Sequence, residues 1–214
     1  MVVFCGMTTF SKKMDAFLRK FIFLNFRFMT IKIALAIGHN FALQNGRTPD
    51  EGASGNGTTE AKLTQGIINA LVSGMCYQKY KFIKVPEKLT IQQRGQWIRD
   101  NKNKIDAFFE FHLDPVSPSA TGSTVFYTQG YDWAKEQAGK FAAAYANHVW
   151  LTNRGAKPDT ATRHGQLGIL RAGSGAGIFS LLIELGFISN ANDLKKIRRD
   201  AVGGIIAGFD AIWK

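Results

Sequence analysis

Two histidines and two glutamates stand out because each falls where an apolar run stops or a helix begins. His39 follows the apolar run Ile31–Ile37, His112 follows residues 105–111, and Glu184 closes residues 178–183. Glu60 lies in the first turn of an amphipathic segment that opens after Thr58 and Thr59. Short apolar runs bounded by glycine and other turn residues read as strands buried on both faces. In an open parallel sheet the C-terminal strand ends share one edge, and ligand sites collect there. A helix that follows the first strand starts on the same side, so the four side chains can converge. Two imidazoles and one carboxylate make a catalytic zinc set with a position open for water. A further carboxylate near that water is the general base such a site requires. Taken singly, the residues have plainer readings. Glu184 alone reads equally as a carboxylate capping a strand end, where a charge must be paired, exposed or chemical. No local spacing such as HExxH ties the ligands together. His148, inside a helical stretch, and His164, in a loop, read as surface or packing residues.

The elements that must position these residues can be followed along the chain. After the strand Ile31–Ile37 comes a long polar, glycine-rich loop at 40–57, longer than a connection needs and so expected to be functional. Thr58 or Thr59 is the expected N-cap of a helix over residues 60–73. A strand at 82–85, stopped by Pro86, precedes a polar helix at 90–102 with Ile91, Trp97 and Ile98 facing inward. Then follow the strand at 105–111, a strand at 124–128, a long helix at 131–149, a loop at 154–165 and a short strand at 167–170. The strand at 178–183 is expected to end at Glu184, with Gly186 turning the chain. A last helix, capped by Asn192 or Asp193, runs to about Trp213. Strands alternating with helices predict an α/β layered fold with a largely parallel sheet.

Residues 1–28 differ from the rest. Lys12, Lys13, Arg19, Lys20 and Arg27 oppose only Asp15, and phenylalanines crowd the stretch from Phe17 to Phe28. Asn25 and Arg27 interrupt the apolar run and no small-residue cleavage site follows, which argues against a signal peptide. An extension outside the domain is expected, with the domain spanning 29–214; a membrane-surface helix is the alternative. The 214 residues suit one domain with an ample core. The net charge of +11 favours an anionic partner such as nucleic acid, phospholipid or a wall polymer. The basic residues are scattered and no helix-turn-helix or RNA-binding motif is present, so nucleic acid has no support. Cys5 and Cys76 make no disulfide framework. No run reaches the length of a membrane span.

In order, these residues resemble the zinc-dependent N-acetylmuramoyl-L-alanine amidases, the amidase type 3 family that cuts bacterial peptidoglycan. The resemblance rests on Ile37-Gly38-His39, Asp50-Glu51-Gly52-Ala53, Glu60 after Gly57-Thr58-Thr59, Arg94 and Asn101, and the run ending at His112. It continues through Arg154-Gly155 and Leu170-Arg171 to the closing block Glu184-Leu185-Gly186-Phe187-Ile188-Ser189-Asn190 with Asp193. It covers the chain from about Ile31 to the C-terminus. The closing block is its most specific part.

The resemblance implies a single-domain α/β fold of the phosphorylase/hydrolase-like type, with a twisted, mostly parallel sheet flanked by helices. It implies zinc held by His39, Glu60 and His112, with Glu184 as catalytic base, and hydrolysis of the amide joining N-acetylmuramic acid to L-alanine. The partner is then peptidoglycan and the place of action the cell wall. A monomeric phage or prophage endolysin, cytoplasmic until released, is the favoured setting, and a bacterial remodelling enzyme the other. A non-catalytic wall-binding module and a zinc carboxypeptidase-like enzyme are the competing functions. The chain departs from the family in having Ala36-Ile37 before Gly-His, Glu110 in place of a small residue, and Leu113-Asp114 after His112. Glu110 shares a strand face with His112, and reads either as a partner of that ligand or as an exposed edge residue.

Overall fold

The computed structural model describes residues 30–39, 50–74, 79–163 and 165–214. The expected extension at 1–28, most of the loop at 40–57, Cys76 and His164 lie outside the described residues.

The apolar runs form the sheet. Strands β1 (Ile31–Ile37), β4 (Tyr80–Lys84), β5 (Ala107–Asp114), β6 (Ser123–Tyr127), β7 (Asn153–Pro158) and β8 (Phe179–Phe187) line up in the order β4-β1-β5-β8-β6-β7. The small hairpin of β2 (Ser54–Gly55) and β3 (Thr58–Thr59) stands apart. β4, β1, β5 and β8 run parallel, while β6 lies antiparallel to β8 and β7 parallel to β6. The sheet is therefore mostly parallel, as predicted, with a reversed pair at one edge.

Helices cover both faces. α1 (Glu60–Ser73), α3 (Asp132–Val149) and α5 (Ala191–Ile212) share the larger core, where Phe109 meets Phe209 edge-on with centroids 4.9 Å apart. Each such fully buried side chain contributes about 1.5–3 kcal/mol by leaving water. α2 (Ile91–Asn101) and α4 (Gly168–Gly175) close the other face over Ala34, Phe108 and Leu182. Thr59 caps α1, accepting from the Lys62 N–H, and Thr90 with Gln93 forms a reciprocal capping box on α2.

The fold corrects several sequence expectations. The stretch expected to be a loop from 154 contains β7, whose polar, half-buried residues pair only with β6 and so show no apolar run. The apolar stretch 167–170 opens α4 instead of forming a strand; four apolar residues do not separate the two states. Ile91 is exposed on α2, and Arg94 and Gly95 take the inward positions beside Ile98. Asn190, not Asn192 or Asp193, caps α5. Asp193 instead lies buried in the first turn, accepting from the Thr121 hydroxyl and the Gly122 and Phe187 amides.

Candidate metal centre

β1 delivers the first ligand candidate. Its buried run ends at Gly38, whose N–H donates to the Phe111 carbonyl at 2.8 Å, and His39 then turns into the left-handed region at φ 61°. A non-glycine residue in that region is held there by its surroundings. β5 runs on through His112 to Asp114, so His112 lies within the strand, next to β1 and β8. Thr59 starts α1 so that Glu60, 2% exposed, reaches over the sheet edge. β8 also runs further than expected. Gly186 stays extended at φ 159°, so Glu184 lies inside the strand, beside His112 in register, and does not end it. The strand continues past the glycine through an irregular step in its pairing with β5 between Glu184 and Phe187, and Leu185, Phe187 and Ile188 are all buried.

Glu60 is the hub. Its Oε1 lies 2.8 Å from His112 Nδ1 and accepts from the Leu113 N–H at 3.1 Å. Its Oε2 lies 3.3 Å from His39 Nε2 and accepts from the Ala53 N–H at 3.2 Å. One ligand atom from each of His39, Glu60 and His112 falls within 4.8 Å of the other two, and among the described residues no other group of three meets that condition. Two neutral-capable imidazoles and a carboxylate converging in this way suit zinc. Glu184 supports the same fit. Its Oε2 is buried with no hydrogen-bond partner, an acceptor left open beside the cluster.

The charges are strongly coupled. Burial works to raise the Glu60 pKa, but the hydrogen bond from His112 and the charges of both histidines outweigh it and hold it low. Burial likewise works to depress His112, yet its bonds to Glu110 and Glu60 push it up to about 10 without a metal. Glu184 goes the other way. Its burial dominates, the His112 charge opposes it, and the neighbouring carboxylates add to it, so its pKa rises to about 8. A dication in the cluster would act on all three with the sign of the His112 charge, only stronger.

Further residues complete the site. Asp50 Oδ2 lies 2.8 Å from His39 Nδ1, on the ring edge away from Glu60. In the sequence Asp50 stands only as part of Asp50-Glu51-Gly52-Ala53, and its position two residues before Gly52 is the one signal of its place near His39. Glu110 is buried and touches His112, which settles it as a partner of that histidine and not an exposed edge residue. The same glutamate is the one charge in the run 107–111, and that was the cue. Two glycines have no room for a side chain. A Cβ on Gly38 would come within 2.7 Å of the His112 ring, and one on Gly52 within 2.7 Å of both Glu60 Oε2 and the His39 ring. His148 is exposed on α3 beside Gly203 of α5 and is not among the converging ligands, in line with its reading as a surface or packing residue. Along the hairpin and the start of α1 an open groove is lined by Glu51, Asn56, Thr58, Lys62 and Gln65.

A family model described as N-acetylmuramoyl-L-alanine amidase matches residues 33–209, well over half of the chain. No curated protein matches the sequence significantly. Among solved structures, the apo form of the N-acetylmuramyl-L-alanine amidase Ami1 from Mycobacterium abscessus is similar at 17% identity and TM-score 0.68, over 87% of this chain and 100% of that one. The amidase AmiC2 of Nostoc punctiforme is similar at 18% identity and TM-score 0.66, over 86% and 95%. The catalytic domain of CD27L endolysin, targeting Clostridia difficile, is similar at 21% identity and TM-score 0.61, over 86% and 97%. At these identities the likeness is one of fold.

Proposed function

The chain belongs to the N-acetylmuramoyl-L-alanine amidase family, and on that premise we propose that it cuts its peptidoglycan substrate with a zinc ion held by His39, Glu60 and His112 and with Glu184 as the general base. The observation that carries this reading is the convergence of the three ligand atoms within 4.8 Å. The partnerless Glu184 oxygen beside them adds to it.

An unactivated amide needs a stronger nucleophile than neutral water and a sink for the charge that builds on its oxygen. Zinc, when bound, supplies both by raising the acidity of the attacking water and offering a positive charge to the carbonyl. The chain supplies the proton transfers and the orientation. Glu184 takes the proton from the attacking water and returns it to the departing L-alanine nitrogen, one carboxylate serving as base and then acid. Asp50 and the Leu113 and Ala53 amides keep His39 and Glu60 aimed at the cluster. Asp50 touches His39 and the next residue, Glu51, lines the hairpin groove, which supports reading that groove as the seat of the stem peptide or glycan.

Purified protein incubated with peptidoglycan should release new amino-terminal alanine without new reducing ends, and a chelator should abolish the release. New carboxyl-terminal amino acids in its place would point to a peptidase, and binding without any product to a wall-binding module. The setting we favour is lysis from within by an endolysin, with wall remodelling as the other use of the same cut.

The domain is proposed to begin near Met29. β1 starts at Ile31 and the family match at residue 33. A protein beginning at Met29 should keep its melting temperature and its zinc-dependent activity; an insoluble or inactive product from it would show that residues 1–28 are structural.

A further inference from the structure

Arg94 ties together the two segments that carry the histidines. Its Nη1 donates to Glu110 Oε2 at 2.5 Å, and its Nη2 donates to the backbone carbonyl of His39 at 3.2 Å. Arg94 is 2% exposed and Glu110 3%, so their ion pair is out of water. A buried ion pair is a poor device for merely joining a helix to a sheet. Desolvation of both charges offsets most of their attraction, and apolar side chains of the same shape would join the elements as well. The pair therefore needs a second explanation, and the far side of Glu110 provides one.

Glu110 Oε1 lies 2.8 Å from His112 Nε2. Both ring nitrogens face a carboxylate oxygen at 2.8 Å, and without a metal each can donate; a metal in the cluster would take Nδ1 and leave Nε2 as the nitrogen that donates to Glu110. The other ring nitrogen, Nδ1, is the one turned to Glu60 and the cluster. His39 shows the opposite arrangement: Asp50 takes Nδ1, and Nε2 faces Glu60. The two rings thus offer different nitrogens to the same point, each fixed by a carboxylate behind it. The backbone of His39 at φ 61° is braced by the same Arg94 that holds Glu110.

We propose that Arg94 and Glu110 form a positioning relay, in which Glu110 keeps the hydrogen of His112 on Nε2 so that Nδ1 serves the metal, and Arg94 holds Glu110 to that task while bracing His39. The relay rests on the zinc reading given above. It acts on the metal through the ligands and touches no substrate. Carboxylates behind ligating histidines fix the tautomer and ring orientation, and their loss costs roughly 10–100-fold in metal affinity.

The decisive variant is the double change R94M/E110L, which swaps the buried pair for apolar side chains of similar length. Zinc affinity of the full chain is measured by competition with a chelator of known strength, alongside melting temperature. The relay predicts a folded protein that binds zinc roughly 10–100-fold more weakly than wild type. A folded double variant with wild-type affinity overturns it and leaves the pair a structural tie. A second measurement needs no variant. In zinc-loaded wild type labelled with 15N at histidine, His112 should show its hydrogen on Nε2 and its metal on Nδ1. The reverse assignment overturns the relay even if the double variant does not fold. Wild-type protein that binds no zinc would sink the metal reading and the relay with it, whereas a zinc-binding wild type with an indifferent double variant sinks the relay alone.

Discussion

Glu184→Gln is expected to lower peptidoglycan hydrolysis by about 10²–10⁴-fold while leaving zinc content unchanged. Glu184 lies beside His112 in the sheet register, and its Oε2 is buried without a partner. Glutamine keeps the size of the side chain but cannot accept a proton at neutral pH. Burial already works against the ionised carboxylate, so the neutral amide should leave the melting temperature near or above wild type. Turnover, zinc content and melting are read on the same preparation. Lost zinc would make Glu184 a ligand and force a new role on Glu60. Full activity would end the general-base mechanism outright.

His112→Ala should empty the site. The ring stands between Glu60 and Glu110, 2.8 Å from an oxygen of each. Removing it deletes a ligand and leaves the two carboxylates with one fewer positive neighbour. The loss of zinc affinity should exceed the roughly 10–100-fold that follows when only a partner of a ligand is lost, and hydrolysis should fall to background. Removing one member of a buried charged pair costs about 3–5 kcal/mol, so the metal-free variant should melt lower than metal-free wild type. The main aromatic core around Phe109, Phe141 and Phe209 is untouched by the change. Circular dichroism at room temperature should therefore still show the native helix and strand content. Stoichiometric zinc in the folded variant would remove His112 from the ligand set.

The four residues of the centre could be read from the sequence because each interrupts or borders a strong local pattern. His39 and His112 follow apolar runs, Glu60 follows a threonine cap, and Glu184 breaks a buried strand. What could not be read was how far the strands continue past those residues. Gly186 reads as a turn in the sequence, but β8 runs on past it through an irregular step in its pairing with β5, and Phe187 and Ile188 beyond it are buried. β7 escaped for a related reason. Edge strands with one partner need no apolar alternation, and Asn153–Pro158 shows none. The hydrogen-bonded partners were the least legible part. Asp50 and Arg94 reach the histidines from a loop and a helix that approach only in the fold; the step from Asp50 to Gly52 is the one local sign, and the spacing around Arg94 gives none.

Gly38 and Gly52 bear on how variation at this centre should be interpreted. Neither has a side chain, and neither can bond, ligate or transfer a proton through one. Yet any Cβ at either position would press into a ligand ring, and at Gly52 the backbone itself, at φ 70°, resists ordinary residues. A saturation library screened for lysis would return both positions as intolerant as His39 or His112. An activity map of that kind reports how much empty space a metal centre needs as well as which atoms do its chemistry. Only a parallel screen for zinc occupancy and fold would separate a residue that works at the centre from one whose contribution is to leave room.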